Sequence, residues 1–196
     1  MKKDYVMGNS AIALGALSAG VKVVCGYPGT PSTEIIETIF RVPHDNVHLE
    51  WSVNEKVAME VATSAAFSGA RSLVTMKQVG LNVASDPLMS LAYVGVKGGM
   101  VIVVADDPGP ISSQTEQDTR AFANFCRIPV FDPASPEQAF QMVQDAFLYS
   151  EKYHTPVILR PTTRVCHAYA SIEFNENYCV KPYEGFVKDS SKWVIF

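Results

Sequence analysis

The chain has 196 residues, 47% of them hydrophobic and 18% charged, and 16 Lys and Arg against 20 Asp and Glu leave a formal charge of −4. A folded chain of this length buries about 70% of its surface, so its core needs no disulfide staple. The composition excludes disorder and collagen, the acid excess excludes the basic footprint of a nucleic-acid binder, and no apolar run approaches the ~20 residues of a membrane span.

The four cysteines, Cys25, Cys126, Cys166 and Cys179, show neither C-x-x-C spacing nor a zinc-finger distance from histidine. They read as free thiols, and a reducing, cytoplasmic setting is expected. Lys2 and Lys3 ahead of the small apolar run Ala11 to Ala19 imitate a leader. Asp4 and Asn9 interrupt that pattern, and the run has helical periodicity, so it reads as a domain start. Asn9 or Ser10 is placed to cap a helix that ends at Gly20.

From there strand-like and helix-like runs alternate. Val21 to Cys25 is a β-branched strand that stops at Gly-Tyr-Pro-Gly. Glu34 to Phe40 follows as a helix behind Ser32 and Thr33, Val47 to Trp51 as a strand, and Val53 to Phe67 as a helix. Leu73 to Met76 is a strand, Leu81 to Val94 a helix, and Met100 to Ala105 the most apolar strand. A long helix runs from Pro136 to Tyr153, and Pro156 to Leu159 forms the last strand. Strands apolar on both faces, alternating with helices, imply a parallel sheet covered on both sides. Six such strands make a doubly wound α/β domain. Alanines 62, 65 and 66 read as close helix packing, such as a dimer seam would use. Past Arg164 the periodicity fades, and residues 166–196 read as a linker or surface tail. The apolar end, Ser191 to Phe196, is expected to pack against something, with further chain beyond it.

Ligands of open parallel sheets bind at the carboxyl ends of strands, and four such ends are unusual here. The loop Gly26 to Thr33 fixes a tight turn with hydroxyls at a helix start. It suits an anion or polar ring, and equally a plain strand-to-helix turn with a cap. It is neither a Walker A loop nor a G-x-G-x-x-G fingerprint. Glu55 opens a helix among apolar neighbours, either as a complement to the helix dipole or as a carboxyl sharing a proton with a ring nitrogen. Met76 to Asn82 is a third polar strand end. Asp106 and Asp107 open the fourth, a long polar loop with Ser112 and Gln114; the aspartates could hold Mg²⁺, or cap a helix and face water. His44 and His48 read as solvent-facing loop residues.

Four stretches carry a family resemblance: GYPGTPSTEIIETI, the run from EWSVNEKVA through TMKQVGLN to VVADDPGP, SSQTEQDTR and TPVILRPTTRV. The resemblance runs from Met7 to about Val165 and covers most of the chain, with residues 1–165 as the domain. The chain resembles the N-terminal, pyrimidine-binding domain of thiamine-diphosphate-dependent 2-oxoacid:ferredoxin oxidoreductases, nearest to the large (alpha) subunit of their indolepyruvate branch. The fold this implies is a three-layer α/β/α domain on a six-stranded parallel sheet. The implied activity is oxidative decarboxylation of a 2-oxoacid, such as an arylpyruvate, to acyl-CoA with ferredoxin as acceptor.

By the same resemblance, Glu55 matches the glutamate that hydrogen-bonds N1′ of the aminopyrimidine and so promotes removal of the thiazolium C2 proton. Pro28, Gly29, Thr30, Gln78, Gly80 and Asn82 would line the pyrimidine end of the cofactor. Thr30, Ser112 and Gln114 would face substrate, and no residue of this chain would bind metal. Related pyruvate enzymes hold the substrate carboxylate with an arginine near the end of the fourth strand, where this chain reads Ala-Asp-Asp. Mg²⁺ and 4Fe-4S clusters are expected only on a further domain or partner, because the chain lacks a Gly-Asp-Gly turn and clustered cysteines. The implied partners are a diphosphate-binding domain or chain, a smaller oxidoreductase subunit, ferredoxin, and a second copy in a homodimer; neither nucleic acid nor membrane is expected. Two alternatives remain open: a split subunit of a 2-oxoacid decarboxylase, and a non-catalytic binding or regulatory domain of this fold.

Overall fold

The computed structural model describes residues 1–191, so the expectation for the apolar end at 192–196 lies outside the described residues. Eight strands and seven helices follow in order: β1 (Lys2–Met7), α1 (Gly8–Ser18), β2 (Val23–Gly26), α2 (Thr33–Arg41), β3 (His48–Trp51), α3 (Glu55–Phe67), β4 (Ser72–Lys77) and α4 (Gln78–Val94). The second half adds β5 (Met100–Ala105), α5 (Thr119–Cys126), β6 (Val130–Phe131), α6 (Pro136–Tyr153), β7 (Val157–Leu159), α7 (Thr163–His167) and β8 (Tyr169–Phe174).

Six strands form one sheet in the order β3-β2-β4-β5-β7-β6, every pair parallel. The expected α/β/α architecture is therefore present. The strand that the alternation counted without placing is β6, only two residues long. Because side chains alternate along a strand, each central strand feeds two cores. Leu73, Val101 and Val103 face α1, α2 and α6, where Ile12, Ile35, Ile39 and Phe147 are fully buried. Val74, Met76, Ile102 and Val104 face α3 and α4, where Met59, Leu81 and Leu88 complete the second core. Ala62 and Ala66 are buried in that second core, so the alanine-rich face of α3 packs within its own chain.

Three sequence expectations change. The helix after Met7 carries no side-chain cap. Asn9 lies one residue inside it, fully buried, and donates to the Pro31 carbonyl at 2.6 Å and to Glu34 Oε2 at 2.8 Å. It thus ties α1 to the loop after β2. Next, β1 and β8 pair as a separate antiparallel hairpin, Lys2 opposite Phe174 and Met7 opposite Tyr169. Part of the segment read as a surface tail is thereby a strand with Ala170, Ile172 and Phe174 buried and their neighbours exposed. That period of two was hidden because its outer positions are Tyr, Ser and Glu. Finally, His44 is half-buried rather than solvent-facing, whereas His48 is exposed on β3 and bonds Glu50 Oε2 at 2.9 Å. Among the described residues no helix is long and apolar enough to cross a membrane.

Candidate active site

The sheet order places β2 beside β4, yet the helices that follow them pack on opposite faces: α2 in the first core, α4 in the second. The loops leaving these two strands must diverge, which opens a crevice at the carboxyl edge of the sheet. The ends of β2, β3, β4 and β5 all lie along that edge, because the strands are parallel.

Glu55 is the first residue of α3. Its predecessor Asn54 caps the helix, accepting from the Val57 N–H at 2.9 Å. The cap fixes where the helix starts and thereby aims Glu55 inward. Only 8% of Glu55 is exposed, and its carboxyl makes no hydrogen bond or ion pair with any described residue. Gly80, in the first turn of α4, packs directly on it: a Cβ there would sit 2.6 Å from Glu55 Oε1 and 2.7 Å from its Cγ. The residue is mostly buried, yet neither carboxyl oxygen is sealed from the surface, so the carboxyl is open to a hydrogen bond from a ligand.

Gln78, the first residue of α4, is fully buried. Its Nε2 donates to the Thr115 carbonyl at 2.8 Å, while its Oε1 is buried without a partner. A second unsatisfied acceptor therefore lies on the same helix turn as Gly80. Asn82 is exposed, roughly 200° around α4 from Gly80, so it does not share the contact with Glu55.

In the loop after β2, the hydroxyls expected to serve a ligand divide. Ser32 Oγ donates to the Gly29 carbonyl at 3.0 Å, and Thr33 Oγ1 accepts from the Gly29 N–H at 2.9 Å. Both are consumed in bracing the loop. Thr30 is exposed and keeps its hydroxyl free of described partners, beside the exposed Pro28. The Thr30–Pro31 peptide is cis. Gly29 lies against Lys77: a Cβ there would meet Lys77 Cδ at 3.2 Å.

The fourth strand end overturns the solvent-facing and metal readings of the two aspartates. Both are fully buried and committed to the protein. Asp106 accepts from Arg160 Nε at 2.6 Å and from the Thr119 N–H at 3.0 Å. Asp107 Oδ2 gathers the N–H groups of Ile111, Ser112 and Ser113 at 2.7–2.9 Å, and its Oδ1 accepts from the Thr163 hydroxyl at 2.6 Å. Burial pushes the Asp107 carboxyl up, but the Thr163 hydroxyl and the three N–H groups outweigh it and hold it below the usual carboxylate range. Among the described residues no group of three or more His, Cys, Asp or Glu is placed to hold a metal ion. Ser112 and Gln114 are exposed on the loop so folded, and Gln114 Oε1 accepts from Lys77 Nζ at 3.2 Å. Contacts between side chains thus join the loops at this edge: Gly29 lies against Lys77, Lys77 reaches Gln114, Gln78 reaches Thr115, and Gly80 packs on Glu55, while Pro28 and Thr30 stand exposed beside Gly29. Arg160, which organises the Asp106 corner, escaped the sequence reading; its signal was an arginine directly after an apolar strand and before a proline.

Comparison with known proteins places this architecture. Residues 14–189 match the family model described as pyruvate flavodoxin/ferredoxin oxidoreductase, thiamine diP-bdg. The chain is similar to the indolepyruvate oxidoreductase subunit IorA of Pyrococcus horikoshii, 49% identical over 176 residues that make up 89% of this chain and 27% of that protein. The subunit of the same name from Methanothermobacter marburgensis is 45% identical over 97% of this chain and 31% of its own length. The chain therefore spans less than a third of these relatives. Among solved structures, the 2-oxoglutarate:ferredoxin oxidoreductase of Magnetococcus marinus shares the fold, with a TM-score of 0.78 and 20% identity over 91% of this chain and 33% of that one. The chain belongs to the thiamine-diphosphate-binding family of the pyruvate flavodoxin/ferredoxin oxidoreductases.

Proposed function

We propose that this chain is the pyrimidine-binding half of a thiamine-diphosphate-dependent 2-oxoacid:ferredoxin oxidoreductase of the indolepyruvate type. The observation that carries this reading is the Glu55 carboxyl, buried, unpartnered and closely overlaid by Gly80. An aminopyrimidine fits that arrangement chemically. Its ring nitrogen supplies the hydrogen-bond partner Glu55 lacks, its amino group supplies a donor for an acceptor such as Gln78 Oε1, and Gly80 carries no side chain that would push the carboxyl aside. The chemistry supplied by bound thiamine diphosphate is a sink for the electron pair left on the 2-oxoacid carbonyl carbon when CO₂ departs.

The residues of this chain would then divide the work. Glu55 holds or shares a proton at the ring nitrogen. Gln78 fixes the ring's orientation while binding the loop after β5 through Thr115. Thr30 offers a free hydroxyl on the substrate side, and Ser112 and Gln114 border that side from the opposite loop. Diphosphate, Mg²⁺ and 4Fe-4S binding fall to another domain or chain, as does docking of ferredoxin and of a smaller subunit. The chain works in this reading as part of a homodimer in the cytoplasm. A buried carboxyl that folding does not require speaks against a purely regulatory domain.

The test is titration of the 196-residue chain with 4-amino-5-hydroxymethyl-2-methylpyrimidine, followed by amide NMR. The Glu55 and Gly80 amides should shift, and Glu55→Gln should weaken binding by about tenfold or more. Equal affinity in the variant would refute the assignment of Glu55.

A further inference from the structure

The substrate of the reaction just proposed is an anion, and the crevice must hold its carboxylate. The loop after β5 cannot do so with its backbone. The N–H groups of residues 111–113 already converge on Asp107, so that anion position is filled from within the chain. The arginines around it are no freer. Arg160 is bound to Asp106 and Asp132, and Arg120 to Asp118 and Asp132. On α3, Lys56 pairs with Asp86 at 2.8 Å. Arg164 has no acid partner among the described residues, but it follows β7, two strands away from β4.

Lys77 differs from all of these. It ends β4 at the switch point, and its aliphatic stem lies along Gly29, where even a methyl group would come within 3.2–3.5 Å of Cγ, Cδ and Cε. The stem is thereby guided between the two loops that frame the crevice. At its tip the ammonium donates to Gln114 Oε1, a neutral acceptor, at 3.2 Å, and it has no carboxylate partner among the described residues. A positive charge is thus positioned between the loops after β2 and β5 with no anion beside it among the described residues.

We propose that Lys77 is the anion anchor of this site, the group that receives the carboxylate of the 2-oxoacid, with Gln114 holding the ammonium in place until it does. The assignment rests on the reading of the crevice as the site of a 2-oxoacid enzyme. An ammonium is a compact point charge, whereas a guanidinium presents a planar fork. The anchor therefore fixes the position of the carboxylate and leaves its rotation to other contacts, for which Thr30 and Ser112 offer exposed hydroxyls in the two loops. Lys77 acts here as a binding residue and moves no proton.

The experiment titrates the 196-residue chain with phenylpyruvate, with the neutral ketone 4-phenyl-2-butanone, and separately with the aminopyrimidine used above, all read by amide NMR. Phenylpyruvate should shift residues 29, 30, 77 and 114 saturably, and the neutral ketone should bind at least about tenfold more weakly. Lys77→Met should lose that preference while keeping the wild-type melting temperature, and Lys77→Arg should retain it. The anchor is overturned if Lys77→Met binds phenylpyruvate as tightly as the wild type, if the neutral ketone binds equally well, or if phenylpyruvate produces no saturable shift. The two readings fail separately. Pyrimidine shifts at Gly80 without an acid response leave the ring site standing and remove the anchor. An acid response through Lys77 with Gly80 unmoved retains the anchor and removes the ring site.

Discussion

Gly80→Ala perturbs the candidate site with one methyl group. The added Cβ would sit 2.6 Å from Glu55 Oε1, 2.7 Å from Cγ and 2.9 Å from Cδ, against an ordinary contact of at least 3.4 Å. The Glu55 side chain must therefore retreat by about 0.5–0.8 Å along its outer half. Within a helix, alanine gains about 1 kcal/mol over glycine. Overpacking a buried contact costs about 1–3 kcal/mol, so the net loss of stability is only about 0–2 kcal/mol. Binding has no such offset. A displacement near 1 Å from productive geometry can cost about 10²-fold, and loss of a hydrogen bond to a charged group costs about 1.5–3 kcal/mol. Gly80→Ala should thus remain folded by urea titration yet lose at least about tenfold in affinity for the aminopyrimidine by calorimetry. In a Glu55→Gln background the same substitution should cost little more, since both act on one contact. A folded Gly80→Ala protein with wild-type affinity would refute the claim that Glu55 and Gly80 form the ring site.

Two further outcomes follow from groups outside the crevice. Burial pushes the Glu151 carboxyl up, but the bonds from Arg71 and Lys181 outweigh it and hold it at about 2, against 4.5 when free. A carboxyl with a depressed folded pKa contributes stability that is fully present above pH 4.5 and is lost as pH falls through about 2. The contribution is of order 3 kcal/mol, so Glu151→Gln should destabilise the protein at pH 7 and flatten its acid-unfolding curve; an unchanged curve from pH 5 to about 2 would contradict the pairing. Among the thiols, Cys179 is exposed, whereas burial pushes Cys25 up to about 12 and Cys166 higher still. A disulfide reagent at pH 8 should modify Cys179 first and leave Cys25 and Cys166 unreacted until unfolding; mass spectrometry of the partly modified protein identifies the site.

The elements legible in advance share one property: their signal lies within a few residues of sequence. Pro136–Tyr153 stands where its capping Ser135 and apolar spacing put it, and Met100–Ala105 coincides with its apolar run. The four strand ends were legible for the same reason, since polar or turn-forming residues break each apolar run, with Gly, Pro and hydroxyl residues together at the first and fourth. Elements that depend on distant pairing were not. β6 is two residues long and exists only because β7 lies beside it. Lys-Lys-Asp-Tyr-Val-Met becomes a strand only against Tyr169–Phe174, at the other end of the chain.

The site divides along the same line. Local sequence is enough to put Glu55 at the start of one helix and Gly80 at the strand end before another, although the second helix begins at Gln78, three residues ahead of its expected start at Leu81, and so takes in Gly80. That Gly80 lies on the Glu55 carboxyl, that Asp106 and Asp107 are buried and internally bound, and that Lys77 has no acid partner among the described residues are facts of tertiary structure. Burial and partnership depend on what the sheet order brings alongside. In a doubly wound sheet the neighbours across the switch point come from segments separated by a full crossover, so no local window contains both members of such a pair.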